Sequence, residues 1–104
     1  MSTEAAHACL ERALALVDDA LAAAEQGAWE RVAELDARCR DASTDMAREL
    51  EGRDPAPLLR GCVELRERHR RLLDLAEQRR DQLAQESRES RRGREGARAY
   101  ENST

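Results

Sequence analysis

Three cysteines, two histidines and a dense population of carboxylates and guanidinium groups are the residues of this chain whose chemistry could reach beyond packing. Cys9, Cys39 and Cys62 are odd in number and far apart, and no Cys-x-x-Cys or Cys/His spacing marks a metal site. The expectation is three free thiols in a reducing compartment, packed as small hydrophobes. His69 falls between Leu65 and Leu72 on an apolar stripe, where a satisfied rim histidine is a simpler reading than a general base. His7 stands near the start of the chain and reads as exposed. No carboxylate pair and no Ser/His/Asp set stands out where 38% of all residues are charged.

All 18 basic residues are Arg, a residue suited to bidentate anion contacts. In a chain this rich in Ala, a GC-rich coding bias is the plainer account. Small all-helical chorismate mutases also set Arg and Leu on long helices, but they bind their substrate with a Lys as well. This chain has no Lys, and its arginines mostly stand beside acids. The chain is therefore read as a non-enzyme, with no catalytic residue, metal or cofactor expected.

The elements that must carry these side chains are helices. Leu10, Leu14, Val17, Leu21 and Ala24 recur at helical spacing, as do Trp29, Val32, Leu35, Cys39, Ala42 and Met46. Leu58, Cys62, Leu65, His69, Leu72, Ala76 and Leu83 form a third stripe, interrupted at Arg79. No stretch alternates with period two. Ser2 or Thr3 can cap the first helix, and Gly27 suits the left-handed position just past its end. The second helix should run to about Glu51 and stop at Gly52. Asp54-Pro55 should open the third with a capping carboxylate and a proline in the first turn, where Pro57 is also tolerated. The expected fold is all-α: an antiparallel bundle of a helical hairpin and a long third helix, with a short or frayed C-terminal helix. Residues 1–83 would form the bundle. Residues 84–104, polar all round and carrying Gly93 and Gly96, would be a marginally ordered extension or a regulatory helix.

Trp29, the only Trp in a chain without Phe, stands two residues after Gly27. Across so tight a turn its ring can lie over Leu21 or Ala24, so Gly27 and Trp29 read as a turn and its clamp. The pairs Glu34/Arg38, Asp36/Arg40, Glu64/Arg68 and Glu67/Arg71 place acid before base four residues apart, as solvated helix faces do. Leu59, Val63, Leu73 and Leu75 lie off the main stripe of the third helix. Leu59, Val63 and Leu73 would leave a second, partly exposed stripe on which an amphipathic partner helix could lie, unless they widen the core face.

Charge is unevenly divided. Residues 1–52 carry 12 acids and five arginines, net −7, and residues 53–104 are net +3, giving −4 overall. An uncharged run long enough for a membrane span is absent, and the acidic start of the chain argues against a signal peptide. The Arg-rich segment RESRRGREGAR could contact phosphate, but its interleaved acids and the acidic whole disfavour nucleic acid. Heptad-like spacing also permits an unrelated helical adaptor or a homo-oligomeric coiled coil, and a homodimer would suit it.

The run ALVDDALAAAEQGAWERVAELDARCRDA, with Gly27, Trp29, Val32, Leu35 and Arg38, resembles the FliT-type flagellar export chaperones of type III secretion. The resemblance extends to the Pro-marked third helix and the Ala-x-Ala-Tyr near the end. It implies a cytoplasmic bacterial chaperone without ATPase activity. Such a chaperone binds the C-terminal helical segment of the filament-cap protein (a FliD-like client), prevents its premature assembly and delivers it to the export gate. Export-ATPase components are further partners to expect. The client would lie in a hydrophobic groove on the second and third helices, here Leu58, Leu59, Val63, Leu65 and Leu73 with the adjoining face of the second helix. In the family a C-terminal helix folds over that groove, and a C-terminal Tyr docks on the gate. By position that residue is Tyr100.

Overall fold

The fold was analysed in a computed structural model that describes residues 2–103; Met1 and Thr104, the outer ends of the two expected spans, lie outside the described residues. The described residues form three α-helices and a single 3-10 turn: α1 (Glu4–Glu25), α2 (Trp29–Glu49), the turn Ala56–Leu58, and α3 (Leu59–Ser103). The described residues contain no strand.

Local chemistry fixes each boundary. Ser2 Oγ accepts the Glu4 N–H at 3.1 Å, satisfying one of the donors left unpaired at the start of α1. At its far end Gly27 takes φ 73°, which a Cβ would disfavour. The Ala28 N–H reaches back to the Ala23 carbonyl at 2.9 Å, and the Gly27 N–H to Ala24 at 3.0 Å. This pair of bonds is the Schellman arrangement. The turn after α2 is closed by the Arg53 N–H on the Leu50 carbonyl at 3.0 Å, with Gly52 at φ 71°. Asp54 Oδ1 accepts the Ala56 N–H at 3.0 Å, so the expected carboxylate is in place. It opens a 3-10 turn rather than α3 itself. With prolines at 55 and 57, the Leu58 N–H bonds back to Pro55 at 2.9 Å, and α-helical geometry begins only at Leu59.

The contact pattern divides the chain into two compact units, one running through Leu73 and one starting at Asp74. In the first unit, Ala13 lies opposite Cys39, which makes α1 and α2 antiparallel. Met46 faces Cys62 and Asp36 faces His69, so α2 and the first part of α3 are antiparallel as well. Leu10 abuts Gly61, Asp18 pairs with Arg68 and Glu25 with Arg71, so α1 and α3 run in the same direction.

The centre of the core is α1. Leu10, Val17 and Ala24 of the expected stripe are buried, and so are Ala6, Cys9, Ala13, Leu16, Ala20 and Ala23. One helix buries two adjoining stripes here because α2 covers one flank and α3 the other. Val32, Leu35, Cys39 and Ala42 answer from α2, and Leu58 and Leu72 from the third segment. Burying a side chain such as Leu35 or Leu58 contributes roughly 1.5–3 kcal/mol. Gly61 is a close approach: a Cβ there would collide with the tip of Leu10.

The second unit is helical throughout its described residues, including Gly93 and Gly96. The third helix therefore continues through the segment expected to be marginally ordered or a separate regulatory helix, as far as Ser103. Neither glycine takes a positive φ, and each costs an exposed helix about 1 kcal/mol relative to Ala without breaking it. Side chains from Arg80 to Asn102 are exposed, and Gln85 donates to Glu89 at 3.3 Å along the helix.

Candidate functional site

An open groove of about 480 Å³ runs between α2 and α3 within the first unit. Cys39, Arg40, Ser43, Thr44 and Met46 form one wall, and Cys62, Leu65, Arg66 and His69 form the other. The periodicity of each helix explains the lining. Cys39 and Met46 belong to the core stripe of α2 and Cys62 and Leu65 to that of α3, so the facing edges of the two stripes make an apolar floor. Leu65, Cys62 and Met46 are half-buried and pack against the cluster of Ala6, Leu10 and Leu58. The Ser43 and Thr44 hydroxyls donate to the Cys39 and Arg40 carbonyls at 3.0 Å, so neither is an unsatisfied polar group in the wall.

One end of the groove is held by charge. His69 Nε2 lies 2.9 Å from Asp36 Oδ1, while Asp36 Oδ2 takes Arg40 Nη2 at 3.0 Å. His69 is therefore the partnered rim histidine that its place on the stripe suggested. Beneath it the Cys39 thiol donates to the Ala13 carbonyl at 3.4 Å. Burial, and then the Asp36 carboxylate, push the Cys39 thiol up from its ordinary value, with Arg40 acting in the opposite direction. All three cysteines are free thiols. Cys9 and Cys39 are buried and Cys62 is half-buried in the groove.

The side chains expected to contact a client fall into three places. Leu65 lines the groove. Leu59, Val63 and Leu73 are 59%, 52% and 51% exposed, so they form a separate apolar row on the outer side of α3 and do not line the groove. Leu58 is the correction: at 1% exposure it is sealed among Ala6 and Leu10 and offers no surface. Its position one residue before α3, on the 3-10 turn, directs it inward as an anchor. Sequence reasoning missed Cys39, Met46 and Cys62 as groove residues because their spacing marks only a core stripe. The space left between two stripe edges depends on helix separation, which no single helix encodes.

Tyr100 is 73% exposed on α3 within the second unit. Trp29 is the first residue of α2 and is half-buried. Gly27 occupies the left-handed position expected of it. Among the described residues, no group of His, Cys, Asp and Glu is arranged to hold a metal ion, and no helix is long and apolar enough to cross a membrane.

No curated protein and no solved structure matched the chain. A family model described as "Flagellar protein FliT" matches residues 7–102, nearly the whole sequence. Its span takes in the Gly27–Trp29 junction, both walls of the groove and Tyr100, and the chain thus belongs to the FliT family of flagellar export chaperones.

Proposed function

We propose that this protein is the chaperone of a filament-cap-type client, holding the client's C-terminal helical segment until export. The observation that carries the reading is the apolar-floored groove between α2 and α3, built from Met46, Cys62 and Leu65. An amphipathic helix buries its apolar stripe in such a groove and keeps its polar face in water. Leu59, Val63 and Leu73 add an exposed apolar row on the same helix, available to a longer segment. Occupying the client's terminal helix keeps it from assembling before it leaves the cytoplasm. Tyr100, an exposed amphipathic ring, is the residue that would touch the export gate once the client is loaded. No step in this cycle requires bond chemistry from the chaperone itself.

The test is recovery of the full-length chain from a flagellated host, followed by identification of what comes with it. A filament-cap protein should copurify, and one lacking its C-terminal segment should not. Recovery without any cap protein, or capture that survives loss of the segment, would overturn the reading.

A further inference from the structure

The groove carries a charge opposite to the net charge of the whole chain. The chain has 22 acids against 18 arginines, and its first 52 residues are net −7. Yet none of the nine lining residues is an acid, while Arg40 stands on one wall and Arg66 on the other. Asp36, which pairs with Arg40, is also engaged by His69. Arg40 has five N–H donors and uses one on Asp36, so a free edge of its guanidinium remains for another acceptor. Arg66 is exposed and makes no ion pair among the described residues.

We infer that the groove selects an acidic occupant: an amphipathic helix whose apolar stripe is flanked by Asp or Glu side chains that reach Arg40 and Arg66. This rests on the groove being the client site and adds the chemistry by which a client is chosen. The apolar floor accepts any helical stripe of suitable width and discriminates poorly. Two guanidinium groups on opposite walls favour carboxylates on both flanks, and repel a helix flanked by Lys or Arg. The net −7 of residues 1–52 turns acidic segments away from the rest of α1 and α2, so on that side the preference is local to the groove.

The probes are three synthetic helical peptides with one shared Leu/Ala stripe and Glu, Gln or Lys on the flanks. Binding to the full chain is followed by titration, and occupancy of the groove by protection of the Cys62 thiol from alkylation. The Glu peptide should bind about three- to tenfold more tightly than the Gln peptide at low salt. That preference should shrink as salt rises. Arg66→Glu, a surface change, should turn the preference toward the Lys peptide while leaving the melting temperature unchanged. Equal affinity for the Glu and Gln peptides, with Cys62 protected by both, would overturn the acidic selectivity and leave the groove as client site standing. Failure of all three peptides to protect Cys62 would remove both.

Discussion

Gly61 shows how one missing methyl group sets the spacing of two helices. Leu10 fills the space where a Cβ would stand, and Leu10 is itself 5% exposed, so its side chain has little room to give. Gly61→Ala should therefore cost about 1 kcal/mol, overpacking outweighing the gain in helix propensity. In a Leu10→Ala background the same change should stabilise by up to about 1 kcal/mol, because the collision is gone. Urea denaturation of the four variants measures the coupling, and additive effects would contradict the close approach. Cys39 makes a second residue-scale test. Its folded thiol holds its proton more tightly than the unfolded one, since burial raises its pKa from 9.0. Its contribution is thus whole below about pH 9 and lost as pH rises through the higher folded value. Stability should be flat through neutrality and fall in alkali, more steeply than in Cys39→Ser. Iodoacetamide at pH 8 should modify Cys62 well before Cys39.

At the scale of elements, glycines of opposite kinds predict opposite outcomes. Gly27 is held at φ 73° by the bonds that end α1, so Gly27→Ala should lower stability by about 1–2 kcal/mol. Gly93 has open space around it and ordinary helical φ, so Gly93→Ala should raise the helicity measured by circular dichroism. The sequence made the first contrast legible, because Gly27 follows an unbroken apolar stripe and closes it. It concealed the second: a polar segment with two glycines carries no packing signal, and its helix has to be seen. The three stripes likewise identified the helices, but not that α1 buries two of them. Ala6, Ala13 and Ala20 score as neutral in a hydrophobic pattern and become core only when two helices approach closely.

For the whole molecule, the decisive division is between apolar surface that holds the fold and apolar surface left for a partner. Leu58 and Leu59 are adjacent in sequence and lie on opposite sides of it, at 1% and 59% exposure. Replacing Leu59 and Val63 together by Ser should leave the melting temperature within about 2 °C, as surface substitutions do. Capture of a cap-protein C-terminal peptide should weaken if the outer row extends the client site. A large drop in melting temperature would return both side chains to the core. The candidate site was half legible for this same reason. Periodicity separates inner from outer faces, whereas a groove is made by the distance between two helices.

The single indole has an optical consequence. With one Trp, ultraviolet emission excited beyond the absorption band of Tyr100 comes from Trp29 alone. That ring is half-buried beside the Gly27 turn and is not among the residues lining the groove. Its emission should move to the red as the hairpin end opens, and so follows unfolding with a single unambiguous chromophore. A ligand that fills the groove without disturbing that turn will be nearly dark in the same channel. Intrinsic fluorescence is therefore the natural gauge of this chaperone's integrity and a poor gauge of its cargo, which needs a dye placed on the ligand or on Cys62.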